Sequence, residues 1–225
     1  MPFSARGGRR RENGDGEKAG AACRFAKKDS FLRALVIHAH PSPDSYCAAL
    51  AREARAALAE RGHIVEPCDL YAEDFDPVLS REAFRHYLDA PANRTGVERY
   101  VDSLLAAEAL VFVFPVWHDG PPAILKGYFD RVFLRGVVFE IDAEGVFRPR
   151  LQNIRRLTAI ALYGADRART RAVGDLPRRF VKHNLGPLIA PDARSDYLAA
   201  YGMDRAAPEQ RARFMRKVRR SFLSW

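Results

Sequence analysis

His40 and Ser45 stand five residues apart, after an apolar run and just before an alanine-rich helical pattern. An imidazole and a hydroxyl at such a point meet the unpaired N–H groups of a helix start, which suits them to a phosphate. The glycine-rich forms of phosphate loops, GxGxxG and GxxxxGKS/T, are absent. Their absence argues against a dinucleotide Rossmann site and a P-loop nucleotidase. Read on their own, Ser45 is a helix cap and His40 a loop residue. A second stretch, VFVFPVWHDGPPAILKGYFDRVF at 111–133, joins an apolar run to a loop and then a helical pattern. Ile124, Leu125, Tyr128, Phe129 and Val132 fall on one face of a 3.6-residue period, and Pro122 suits a first helical turn. Its loop follows the carboxyl end of a buried strand, where ligands bind in open α/β sheets, although an ordinary βα unit reads the same way. The third feature is Gly164, closing another apolar run; glycine lets backbone approach a flat group closely.

Positioning these groups takes an ordered set of elements. Phe31–Ile37 reads as a short buried strand, followed by a helix from about Ser45. Leu50, Ala54, Ala57 and Leu58 form its apolar face, and Gly62 sits just past its end. His63–Cys68 is a weaker strand. A polar excursion leads to a helix over 95–107, with Val97, Val101, Leu104 and Leu105 apolar. The third strand is Leu110–Phe114, stopped by Pro115. Val137–Ile141 and Val146–Arg148 read as a small hairpin around Asp142–Gly145. Leu157–Tyr163 is a fourth strand, an arginine-rich helical stretch runs to about Asn184, Tyr197–Tyr201 is a fifth strand, and Pro208–Leu223 a closing helix. Strands alternating with helices predict a mainly parallel sheet covered on both faces.

Composition narrows the class. A chain of 225 residues with 48% hydrophobic and 29% charged residues suits one α/β domain with a sizeable core. No apolar run reaches the ~20 residues of a membrane span, so membrane insertion is not expected. The N-terminus has basic residues but no apolar core, which speaks against a secretory signal. Cys23, Cys47 and Cys68 are scattered, as expected for reduced thiols in a cytoplasmic protein, and no metal-ligand spacing is present. Of the net charge of +9, residues 1–28 hold eight basic side chains against three acidic ones, a balance of +5. This stretch is expected to be a disordered tail ahead of a domain over 29–225. The body is only mildly basic, and its arginine cluster on the last helix reads as solvated surface charge, so nucleic acid is not an expected partner.

The motifs are also similar to those of a known family. PxWxxxxPAILKGYFDRVF and HAHPSPDSYCAAL resemble the signatures of the flavodoxin-like NAD(P)H:quinone oxidoreductases, the DT-diaphorase type and its bacterial relatives. The resemblance runs from about Leu32 to the C-terminus. It implies a doubly wound five-stranded parallel sheet with helices on both faces. It also implies a bound flavin, FAD with FMN as the alternative, and NAD(P)H as co-substrate. By the same resemblance, His40, Ser45, Tyr46 and Cys47 would bind the flavin phosphate or pyrophosphate, Cys47 through its backbone only. Pro115, Val116, Trp117 and His118 would lie along the ring, and Leu162, Tyr163 and Gly164 would border it. Backbone N–H groups around Trp117, His118 and Gly164 would then stabilise charge on the reduced ring.

Hydride would pass from NAD(P)H through flavin N5 to a quinone-like acceptor by a ping-pong route, with no side chain assigned as acid or base. The sequence departs from the family pattern at His118-Asp119, where aromatics are common, and at Ala161-Leu162, where threonines are common. The resemblance further implies a homodimer, with Phe129, Phe133 and Phe139 near the expected interface. It also admits a regulatory flavoprotein subunit of a potassium efflux system. Arg167, Arg169 and Arg171 are candidates for the 2′-phosphate of NADPH, or a solvated face.

Overall fold

The computed structural model describes residues Phe31–Trp225. The expected tail over 1–28, with Cys23, lies outside the described residues. Five strands, β1 (Arg33–His38), β2 (Ile64–Asp69), β3 (Ala109–Val116), β6 (Arg156–Tyr163) and β7 (Arg194–Ala200), form one sheet in the order β2-β1-β3-β6-β7. All four pairings are parallel. This is the doubly wound architecture expected, with the order reversing between β1 and β3. The expected hairpin is also present, as antiparallel β4 (Phe139–Ile141) and β5 (Phe147–Pro149).

Alternation along the central strands builds two separate cores. Leu35, Ile37, Leu110, Phe112 and Phe114 point to one face and meet Val101 and Leu104 of α3 (Glu98–Ala106) and Leu125, Tyr128 and Val132 of α4 (Ala123–Val132). Ala34, Val36, Val111, Val113 and Ile160 point to the other, against α1 (Tyr46–Glu60) and α7 (Pro208–Leu223). Near-continuous apolar runs are what strands covered on both faces require. Pro67 is tolerated in β2 because β2 is an edge strand.

Several expectations need correcting. β3 does not stop at Pro115 but continues through Val116, paired with Tyr163 of β6. The carbonyl of Val113 accepts from Ala39 on the β1 side. Pro115, two residues on, therefore turns its missing N–H toward the side that β1 has already left, so no ladder bond is lost. Pro122 caps α4 rather than joining its first turn. The helix expected over 95–107 spans Glu98–Ala106, and Leu105 faces solvent. The polar excursion holds a short α2 (Arg81–Arg85). The arginine-rich stretch is not one helix: α5 (Arg167–Ala172) and α6 (Leu176–Phe180) are separated at Gly174 and Asp175, both at positive φ, and a single π turn over Val181–Leu185 follows. Phe129 and Phe133 are buried in the core, so they offer no exposed surface for the expected interface; of the three, Phe139 alone is half-exposed.

Candidate functional site

Loops from the carboxyl ends of β1, β3 and β6 come together where the strand order reverses. The β1 loop ends in a well-formed helix start. Ser45 is the N-cap of α1: its Oγ accepts from the Ala48 N–H at 3.1 Å and its carbonyl from Ala49 at 3.0 Å. Of the four N–H groups a helix start leaves over, that of Ala48 is met by Ser45 Oγ and that of Ser45 donates to the Ser42 carbonyl at 3.3 Å, so among the described residues the amides of Tyr46 and Cys47 stay open. The first turn holds no acidic residue. His40 Nδ1 accepts from the Ser42 N–H at 3.0 Å, which makes Nε2 the protonated nitrogen and a donor. Its ring centroid lies 6.1 Å from that of Trp117. The β1 and β3 loops thus present an anion-binding end and an indole side by side.

Tyr46 and Cys47 bring only backbone to this loop. The Tyr46 hydroxyl donates to the Arg211 carbonyl on α7 at 2.6 Å, and burial pushes its pKa up to about 12. The Cys47 thiol is buried on the α1 core face, and that burial holds it in the neutral form.

The β3 loop is tighter than its sequence suggests. Trp117 N–H donates to the Gly120 carbonyl at 3.0 Å, and Gly120 N–H to the Trp117 carbonyl at 2.9 Å. His118 and Asp119 between them both have positive φ, +47° and +57°. This is a two-residue turn of the I′ kind, normally filled by Asn and Gly. Left-handed backbone at residues with a Cβ is costly, and such strain collects at functional sites. The turn also corrects one expectation: the Trp117 N–H is already engaged and is not available to a ligand. The amides of His118 and Asp119 take no part in the turn's own hydrogen-bond pair. Trp117 itself stays 42% exposed.

At the end of β6 the side chains of Leu162 and Tyr163 turn inward, leaving backbone at the site. Tyr163 anchors a polar network instead. Its hydroxyl donates to Asp175 Oδ1 at 2.6 Å and lies 2.6 Å from the Tyr197 hydroxyl. Arg178 Nε donates to Asp175 Oδ2 at 2.9 Å, and the Arg178 guanidinium lies 4.4 Å over the Tyr197 ring. Burial, then the neighbouring Tyr197 and Asp175, hold the Tyr163 hydroxyl firmly protonated. Gly164 does permit a close approach, but the group that uses it is the Asp204 carboxylate. A Cβ at 164 would meet Asp204 Oδ2 at 2.4 Å.

Some pairings, and some participants, were not evident in the sequence. Asp119 Oδ2 lies 3.8 Å from an Arg169 terminal nitrogen, linking the β3 turn to α5. This places one of the three candidate arginines at the rim of the site. Asp204 reaches Gly164 from a short turn after β7, a proximity without any local signal. Beside the turn, a cleft of about 440 Å³ is lined by Gly120, Pro121, Lys126 and one face of the segment 176–184. The pair Gly174-Asp175, which breaks the helix, was the available signal for that segment.

With this geometry in view, the comparisons with known proteins are consistent. A family model described as the flavodoxin-like fold matches residues 33–219. The chain belongs to this family. It is similar to an NAD(P)H dehydrogenase [quinone] 1 of Cavia porcellus, 34% identical over 153 residues, or 60% of this chain and 54% of that protein. It is similar, too, to an FMN-dependent NADH:quinone oxidoreductase of Lachnoclostridium phytofermentans, 33% identical over 129 residues, or 56% of this chain and 63% of that one. A crystal structure of a Streptococcus mutans protein superposes with a TM-score of 0.75 at 26% identity, covering 86% of this chain and 100% of the other. The chain spans about half the length of the curated relatives it matches.

Proposed function

We propose that the protein is a flavin-dependent NAD(P)H oxidoreductase that reduces quinone-like acceptors. The observation that carries this reading is the junction of an open helix start at Ser45 with the half-exposed indole of Trp117. The Tyr46 and Cys47 amides and the His40 Nε2–H suit an anionic phosphate. The Trp117–Gly120 turn and the Gly164 backbone suit the edge of a flat ring. These residues fit a flavin. Bound there, it supplies two-electron chemistry: NAD(P)H gives up a hydride and leaves as NAD(P)⁺, and the acceptor takes two electrons and protons to leave as the hydroquinone.

The residues of this chain would do the rest by binding and orientation. The rigid turn holds the amides of His118 and Asp119 at fixed positions, so their dipoles need no reorganisation as negative charge develops nearby. Asp204, set against Gly164, closes one side of the site with a carboxylate. With their side chains buried, Leu162 and Tyr163 contribute backbone alone. No side chain is assigned as acid or base, and solvent would supply the protons. One open site serving donor and acceptor in turn predicts ping-pong kinetics. FAD was the first expectation; the Lachnoclostridium relative carries FMN in its name. A homodimer belongs to this proposal, with an interface away from Phe129 and Phe133.

The test is direct. Purified protein reconstituted with FMN or FAD is expected to hold one flavin per chain and to turn over a simple naphthoquinone with parallel initial-rate lines. Chromatography of released flavin identifies the cofactor. Protein that holds neither flavin and shows no turnover would end this reading.

A further inference from the structure

The cleft beside the Trp117 turn has a composition the site does not otherwise need. Leu176, Arg179, Phe180, His183 and Asn184 fall at i, i+3, i+4, i+7 and i+8, and all five line it. α6 and the π turn after it thus present these five residues to one cleft. Across from them stand Gly120 and Pro121 of the turn and Lys126 of α4. The apolar part is substantial: Leu176 is 52% exposed, and the half-buried Phe180 rests on Phe129 with ring centroids 4.9 Å apart. The cleft's two charged side chains, Lys126 and Arg179, are both basic. Lys126, Arg179 and His183 line the cleft, and no carboxylate does.

The charges differ in how far they are already satisfied. Lys126 Nζ donates to Asp130 at 2.5 Å, an exposed pair one turn along α4. Arg178 is taken up by Asp175 and Tyr201. Arg179, the next residue, forms no ion pair among the described residues; it lines the cleft, and its Nη1 lies near Gly174, just ahead of α6. Its segment is held from behind, since Asp175 anchors the start of α6 through Tyr163 and Arg178. The cleft is thus a fixed apolar shelf with an uncompensated guanidinium at its rim, continuous with the Trp117 turn through Gly120 and Pro121.

From this we infer that the acceptor site selects flat aromatic compounds carrying an anionic substituent, a carboxylate or sulfonate, with Arg179 as the specificity-determining residue. The inference rests on the oxidoreductase reading for the word acceptor, but the charge preference itself does not. The ring lies on Pro121, Leu176 and Phe180, and the anion meets Arg179 with Lys126 nearby. Arginine suits this role because its planar fork meets a carboxylate or sulfonate with two parallel N–H groups.

Two non-reducible probes of nearly equal shape test it, naphthalene-2-sulfonate and the neutral naphthalene-2-sulfonamide. Calorimetry on the protein with and without added flavin should show the sulfonate binding about fivefold tighter or more, a preference that shrinks with added salt. Arg179→Gln should abolish that preference, and Lys126→Gln should reduce it less. The sulfonate should also inhibit naphthoquinone turnover competitively with the quinone. Equal binding of the two probes, an unchanged preference in Arg179→Gln, or sulfonate binding without competition would each overturn the inference. Failure of the oxidoreductase reading looks different: flavin or turnover is missing, while the probe preference and its loss in Arg179→Gln persist.

Discussion

Gly127 of α4 lies flat against Pro77. A Cβ at 127 would stand 2.3 Å from both the Cβ and the carbonyl oxygen of Pro77, well inside any real contact. The glycine in the Leu-Lys-Gly-Tyr stretch is therefore a packing requirement, joining α4 to the segment that leaves β2. It pins the helix whose N-terminal end follows the Trp117 turn.

Gly127→Ala is expected to destabilise despite alanine's better helix propensity. Alanine gains about 1 kcal/mol in a helix interior, whereas forcing backbone apart in a filled core costs about 1–3 kcal/mol or more. Thermal denaturation should show a clear fall in Tm. Gly164→Ala meets only the tip of the Asp204 side chain, which can swing away, so its Tm should stay close to wild type. The opposite ranking of the two variants would refute the packing account.

Ser45→Asp separates a phosphate site from a plain cap. Aspartate caps about as well as serine, so the fold and Tm should be retained. Its carboxylate, however, would face the flavin phosphate. Two unit charges ~4 Å apart repel by ~4 kcal/mol at an effective dielectric of ~20, and half of that weakens binding more than tenfold. The variant should be isolated with little flavin; a full complement at unchanged Tm would mean that no phosphate is held here.

His38 should give the fold a pH dependence. It is buried at the end of β1 with Nδ1 3.1 Å from Asp69 Oδ2. Burial lowers its pKa below the ordinary 6.5 and outweighs Asp69, which raises it; His40 and Arg55 add to the lowering. A depressed histidine binds protons more weakly folded than unfolded. Its contribution is therefore complete above pH 6.5 and is lost as pH falls from 6.5 toward the folded value. Tm should drop over that window, and His38→Asn should flatten the slope. Parallel pH profiles for the two proteins would count against it.

Tyr163→Phe removes the hydroxyl shared by Asp175 and Tyr197. Leaving buried partners short of a hydrogen bond costs about 1–3 kcal/mol. The variant should lose Tm and also show faster amide exchange over 175–180, because α6 is anchored through Asp175. Loss of Tm with unchanged exchange there would make the network merely local.

Much of this protein was legible in its chain. Apolar runs separated by helical periods specified the parallel sheet, because strands covered on both faces need unbroken apolar sequence. Ser45 before an alanine-rich helix and Gly62 after it marked α1 to within a residue, since caps are local chemistry. Pro208–Leu223 was equally plain. What the sequence could not supply were relations between distant segments. Pro115 looked like a stop, yet the departure of β1 leaves its missing N–H without consequence. Trp117 looked able to offer an amide, but the turn it closes on Gly120 consumes that amide. Phe129 and Phe133 suggested an interface, and the packing of α4 on the sheet buries them. Asp119 with Arg169, Asp204 with Gly164, and Arg179 with the Trp117 turn are all nonlocal pairings. Local propensity and periodicity describe a residue's own element; which elements then face each other is decided only when the sheet order and its two cores are assembled.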